Sequence, residues 1–182
     1  YFEYAGPRQY IYFNPEEVTA GIMTCGGLCP GLNNAIRSIV MQLHYKYGVR
    51  KVLGFRYGQQ GLDPTSGHEP YELTPKTVVK IHESGGSILG TSRGKVNPEI
   101  MVDSLVKYGV NVFFCLGGDG TQKGLHSMHE VIEKRGLKIA CVGVPKTIDN
   151  DISFVYKTFG MDTAVTIAQE ALRSAHCEEQ SV

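Results

Sequence analysis

The chain has 182 residues, 42% hydrophobic and 20% charged, which fits one globular domain, or one domain plus an arm, and excludes disordered, collagen-like and coiled-coil classes. Lysine plus arginine equals aspartate plus glutamate at 18 each, so no global field gathers nucleic acid or an anionic membrane surface, and any anion must be held locally. Glycine is abundant, 22 residues against 8 prolines, and it clusters in a few short strings.

Residues 1–17 read as an N-terminal arm, aromatic through Tyr1, Phe2, Tyr4, Tyr10, Tyr12 and Phe13 and ending near Pro15; residues 18–182 read as one lobe. The opening at Tyr1 without a methionine suggests truncation or processing. From Val18 the run VTAGIMT predicts a buried strand that stops at Gly26-Gly27. The charge-free stretch from Val18 to Ile36 has the length of a membrane helix, but its glycines, Pro30, Asn33 and Asn34 make a turn instead. A helix follows, with Asn33 as its cap, Ile36, Ile39, Val40 and Leu43 on one face, and Gly48 as its stop. Val49–Phe55 is a second strand, residues 62–74 a loop, and Thr77–Glu83 a short helix.

After the glycine string GGSILGTSRGK comes a helix from Pro98 to Tyr108, with proline in its first turn. Asn111–Leu116 is a strand that runs into Gly117-Gly118-Asp119-Gly120, and Thr121 opens a helix to about Lys134. Lys138–Val144 is another buried strand, and a last helix runs from near Asp162 towards Ala175. Strand and helix alternate and the strands are continuously apolar, which predicts a doubly wound, mainly parallel sheet in a Rossmann-like three-layer α/β lobe. Cys25, Cys29, Cys115, Cys141 and Cys177 are odd in number and scattered, the pattern of reduced thiols in an intracellular compartment; Cys25 and Cys29 have no second pair with which to complete a structural zinc site.

In such sheets ligands sit beyond the carboxyl ends of strands, and the richest polar strings fall there. In GGLCPGLNN, Gly26 to Asn34, glycines allow backbone amides to approach an anion at a helix start; the alternative is a plain strand-to-helix turn. The string lacks the Lys and Ser or Thr of a P-loop and the spacing of a dinucleotide fingerprint. GTSRGK also misses the P-loop spacing, yet Arg93 between glycines can fork onto phosphate oxygens or remain a solvated loop arginine. Asp119 in GGDGT is placed to hold Mg2+ against phosphates, or is simply part of an Asp-Gly turn. TIDND puts Asp149 and Asp151 at i and i+2, where in an extended segment one carboxylate takes a proton from a hydroxyl and the other binds metal or orients the acceptor. The competing reading is a cap for the next helix. Lys146 adds a cation beside it. His126 and His129 read as surface residues, and the basic and aromatic residues from Tyr45 to Tyr57 as strand alternation, not an RNA-binding patch.

Taken in order, TCGGLCPGLNNAIR, GGSILGTSRG, GGDGT and PKTIDND resemble the phosphofructokinase family, from about Val18 to the end and most closely its plant and protist branch. The resemblance implies the first lobe of a two-lobed enzyme that moves a phosphoryl group from ATP, with Mg2+, to the 1-hydroxyl of fructose 6-phosphate. Pyrophosphate as donor and a non-catalytic nucleotide-binding subunit are the alternatives. Carried over by motif, Asp149 is the general base and Asp119 the Mg2+ carboxylate. Thr147, Ile148, Asp149 and Asp151 serve the sugar phosphate, and Gly27, Arg93, Gly94, Gly118, Asp119, Gly120, Thr121, Gly124 and Lys146 the donor. Gly120 favours ATP, because pyrophosphate users resemble GGDD with a space-filling aspartate, whereas Lys146 matches pyrophosphate users.

The family's frequent tyrosine in a G-Y-x-G turn is Gln59 here, and of two effector-site arginines spaced four apart in bacterial members, Arg37 is present while the other position is Met41. The resemblance further implies a homo-oligomer, dimer or tetramer, in the cytoplasm, with plastid and glycosome left open. No nucleic-acid or membrane partner is expected. The chain stops at Val182, before the M-G-R segment and second lobe of the family; on this reading the piece alone is catalytically silent, and its last helix exposes an apolar face.

Overall fold

A computed structural model describes residues 6 and 8–181 of the chain. Tyr1, Phe2 and Tyr4 of the expected arm therefore lie outside the described residues. The elements are β1 (Thr19–Thr24), α1 (Leu32–Met41), β2 (Lys51–Phe55), β3 (Tyr71–Glu72), α2 (Pro75–Val78), α3 (Pro98–Lys107), β4 (Val112–Gly117), α4 (Asp119–Lys134), β5 (Ala140–Pro145) and α5 (Met161–Gln180). The strands form one sheet in the order β3-β2-β1-β4-β5. All neighbours are parallel except β2 and β3, where Leu53 and Gly54 face Glu72 and Tyr71 in an antiparallel edge. The mainly parallel α/β expectation holds.

Alternation along each strand feeds two cores, because successive side chains leave opposite faces. Ala20 and Ile22 of β1 pack with Val52, Leu116 and the α1 stripe Leu32, Ile36 and Val40. Met23, Phe55, Phe113 and Cys115 pack instead with Met101, Val102 and Leu105 of α3 and Leu125, Met128 and Ile132 of α4. In the second layer the Phe55 and Phe113 rings meet edge to face at 6.0 Å, a favourable arrangement of ring quadrupoles.

Local chemistry shifts several boundaries. Gly31, at φ +91°, takes the N-cap of α1, a backbone shape that an L side chain rarely adopts. Asn33 is therefore not the cap; it is the second helical residue and is buried. The short helix expected over 77–83 breaks in two. A reciprocal Thr74–Thr77 capping box starts α2 at Pro75, and a separate tight turn spans Ile81–Glu83. The loop expected over 62–74 contains β3, whose two residues are too short for any periodicity to show. Asn97 caps α3 through the Glu99 N–H at 3.0 Å, with Pro98 in the first turn. His126 and His129 are exposed on α4 beside Glu130 and Glu133, as expected of surface residues. The last helix is longer than expected and has no buried residue; Val165, Ile167 and Leu172 are all at least half exposed. No helix among the described residues is long and apolar enough to cross a membrane.

Candidate active site

The carboxyl ends of β1, β4 and β5 lie side by side, since Thr24 pairs with Leu116 and Gly117 with Pro145. The chain leaving each end therefore converges on one place. There a cavity of about 290 Å3 is lined by Gly27, Arg93, Gly94, Gly118, Gly120, Thr121 and Lys146. Seven of the nine residues expected at the donor site, from separate strings, thus share one wall. Gly118 is the N-cap of α4 without a side-chain cap, so unpaired helix N–H groups and the positive end of the dipole face the region.

Lys146 is the buried cation of the cavity, 5% exposed, and its Nζ donates to Gly27 O. Burial holds its pKa below the ordinary lysine value and Arg93 pushes the same way, while Cys29 and Cys25 oppose. Arg93 comes from the other side, its guanidinium 3.9 Å from where a Cβ on Gly27 would stand. Arg93 and Lys146 around glycine-rich backbone, with Lys95 as a third cation on the wall, suit a polyanionic ligand.

Asp119 opens α4 and is exposed, paired with Lys123 at 2.7 Å. It does not line the cavity wall. Gly124 does not line it either; it lies one turn on, where its close approach makes room for the Gln59 amide, whose Nε2 would be 2.9 Å from an added Cβ.

The TIDND segment is bent, which corrects the expectation of an extended run. Asn150 has φ +52°, and the Thr147 hydroxyl donates to Asp151 Oδ1 at 2.8 Å while accepting the Asp149 N–H at 3.1 Å. The Asn150 side chain accepts the Thr158 N–H at 2.7 Å, and the Thr158 hydroxyl donates to Thr147 O at 2.6 Å. Thr147 and Asp151 are thereby tied to each other, whereas Ile148 and Asp149 stay exposed at the tip of the turn. The segment also does not cap the next helix, whose N-cap is Gly160 without a side-chain bond. Cys25, Gly26, Gln59, Ser92 and Lys95 complete the cavity wall; Cys25, Ser92 and Lys95 were not among the expected site residues, and Gln59 stood out only as a departure from the family's tyrosine. The signal for Gln59 was its place in the Gly58–Gly61 turn that resembles the family's G-Y-x-G; in the structure Tyr57 and Gly58 before it both have positive φ.

The family model for phosphofructokinase matches residues 19–182. This chain belongs to the phosphofructokinase family. It is 53% identical over 179 residues to the ATP-dependent 6-phosphofructokinase of Borreliella burgdorferi, covering 98% of this chain and 40% of that protein. It is 51% identical over 181 residues to ATP-dependent 6-phosphofructokinase 1 of Arabidopsis thaliana, covering 100% of this chain and 38% of that one. The bacterial relative shows that the likeness extends beyond plants and protists. The chain spans about two-fifths of the length of these curated relatives. Its fold is similar to the phosphofructokinase of Saccharomyces cerevisiae, with a TM-score of 0.73 at 23% identity over 90% of this chain and 24% of that one.

Among the described residues no cluster of three or more His, Cys, Asp or Glu side chains is gathered. Mg2+ does not need one, since it is commonly held by one or two carboxylates, waters and the substrate phosphates. An exposed carboxylate in the first turn of α4, beside a cavity suited to phosphates, fits that pattern.

Proposed function

We propose that this lobe binds the phosphoryl donor of a 6-phosphofructokinase, which transfers the terminal phosphoryl group of ATP to the 1-hydroxyl of fructose 6-phosphate and gives fructose 1,6-bisphosphate, a step of glycolysis. The observation that carries this reading is the one cavity in which Gly27, Arg93, Gly118, Gly120, Thr121 and Lys146 meet, in a chain of this family. Backbone amides, Arg93 and Lys146 hold the donor phosphates, with the N-terminus of α4 stabilising their charge. Asp119 is the residue that would hold Mg2+, which supplies charge neutralisation on the phosphates. Asp149, exposed at the tip of its turn, accepts the proton of the 1-hydroxyl as that oxygen bonds to phosphorus and the bond to the departing ADP oxygen breaks. Thr147, through its bond to Asp151, keeps the turn that presents Asp149, and Ile148 lies beside it on the acceptor side.

ATP is favoured as donor because the space beyond Gly120 is open, with nothing within 4 Å of an added Cβ. Lys146 is compatible with either donor. The same reading implies a homo-oligomer inside the cell; the exposed apolar side chains of α5 form the face on which the second lobe of such an enzyme packs.

The test is turnover of fructose 6-phosphate by the natural protein that contains this chain, with ATP or pyrophosphate and Mg2+. Turnover with ATP is expected. Turnover with pyrophosphate alone would overturn the donor assignment, and no turnover with either donor would overturn the reaction. Asp149→Ser is expected to lower kcat by at least ~10²-fold while changing nucleotide binding little; unchanged kcat would remove Asp149 from the chemistry.

A further inference from the structure

The segment that delivers Arg93 is held by two side chains that do not line the donor cavity. Asn33, in the first turn of α1, is 2% exposed. Its Nδ2 donates to Ser84 O at 3.0 Å and its Oδ1 accepts the Ile88 N–H at 2.9 Å. Thr24, the last residue of β1, is fully buried. Its hydroxyl donates to Gly90 O at 2.8 Å and lies 2.8 Å from Ser87 Oγ. A hydroxyl has one proton, so Ser87 is the donor in that second bond; Ser87 Oγ in turn accepts the Leu89 N–H at 3.2 Å. Backbone bonds add Tyr57 N to Leu89 O at 2.8 Å and Gly26 N to Ser92 O at 3.2 Å. Residues 84, 87, 88, 89, 90 and 92 are therefore all bonded to fixed elements; Arg93 follows directly, and beyond it the Val96 N–H is held by Gln59 Oε1 at 3.1 Å.

Packing alone does not ask for an amide at position 33. The neighbouring buried residues of α1 are Leu32, Ile36 and Val40, and a buried amide is costly unless its groups are paired. A carboxamide that meets one carbonyl and one N–H four residues apart fixes the orientation of the segment as well as its contact. For a guanidinium that must meet phosphate oxygens in a fork, orientation decides whether one bond or two form.

We propose that Asn33 is a positioning residue for phosphoryl transfer: with Thr24 as second anchor, it sets the loop over 84–92 so that Arg93 enters the donor cavity already aimed at the phosphates. This rests on the reading of the cavity as the donor site. Asn33→Leu removes both bonds, and Thr24→Val removes the hydroxyl with the shape kept.

The experiment is steady-state kinetics on the natural protein containing this chain, for Arg93→Ala, Asn33→Leu, Thr24→Val and the Arg93→Ala/Asn33→Leu double variant. Arg93→Ala is expected to raise the KM for ATP about tenfold. Asn33→Leu should raise it about fivefold, with the KM for fructose 6-phosphate within about twofold of wild type. The double variant should match Arg93→Ala alone within about twofold, because the clamp has nothing left to aim. A merely structural loss would lower the active fraction, and so kcat, without moving the KM for ATP. An additive double variant, or an unchanged KM for ATP in Asn33→Leu beside a raised one in Arg93→Ala, overturns the clamp. An unchanged KM in Arg93→Ala overturns the donor-site reading and the clamp with it. Should Asn33→Leu fail to fold, Thr24→Val alone and combined with Arg93→Ala decides by the same comparisons.

Discussion

Lys146 donates through Nζ to Gly27 O, so the first residue after β5 closes on the loop that leaves β1. Burying an ammonium costs free energy that one carbonyl only partly returns, and its pKa lies below the ordinary lysine value for that reason. Lys146→Met is expected to leave stability unchanged or raise it by on the order of 1 kcal/mol at neutral pH. The sign of the pH dependence follows from the lowered pKa. Between that value and 10.5 the unfolded chain holds more protons at this site than the folded one, so wild-type stability rises with pH relative to the variant. Urea melts of both proteins at neutral and alkaline pH measure this; a wild-type advantage that shrinks as pH rises contradicts it.

Gly160 allows α5 to begin against the loop that follows β1. It has φ +97°, and an added Cβ would stand 2.2 Å from Cys29 Sγ and 2.6 Å from Pro30 O. Gly160→Ala should therefore cost on the order of 2–4 kcal/mol, strain and overpacking together. Denaturant unfolding measures it, and a loss under about 0.5 kcal/mol would show that the loop gives way freely.

Gly120 is the opposite case, because nothing stands within 4 Å of an added Cβ. Gly120→Asp should keep stability within about 1 kcal/mol of wild type. It should also raise the KM for ATP at least about tenfold, since a carboxylate in the cavity repels the donor phosphates. Kinetics beside thermal melting separate the two effects. Unchanged ATP kinetics would mean that the nucleotide does not pass this wall.

Thiol reactivity should divide the five cysteines. Cys177 is exposed, whereas Cys25, Cys29 and Cys115 are buried. Burial pushes Cys141 up to about 11 and Cys115 well above the usual thiol value, and it raises Cys29 against the pull of Lys146. The attacking species is the thiolate, so of these five Cys177 should be the one that reacts rapidly at pH 8 with an aromatic disulfide reagent, as mapped by peptide analysis of the labelled protein. Rapid labelling of Cys25, Cys29, Cys115 or Cys141 in its place would contradict this.

The identity of the elements was legible wherever a local pattern was long enough to carry it. Val18–Thr24 and Asn111–Leu116 are short apolar runs ended by glycine, and Asn97-Pro98 is a helix start with its own donor and acceptor, so their positions follow from neighbours in the chain. Gly27, Arg93, Gly118, Gly120, Thr121 and Lys146 were singled out through the family resemblance of their strings, and the structure brings them to one cavity.

What the tertiary structure decided depends on partners far along the chain. Asn33 resembled a helix cap by residue type, but Gly31 holds the cap position and the Asn33 amide bonds to a loop more than 50 residues away. Gln59 reaches the cavity because Val96 N–H fixes its Oε1 at 3.1 Å and Gly124 yields space beside it. TIDND bends because Thr158 engages Asn150 and Thr147 from the far side of the turn. A string of residues states which groups are available, since composition and spacing are local. Which of them meet is set by side-chain hydrogen bonds between segments, and these form only once the parallel sheet has brought the ends of β1, β4 and β5 together.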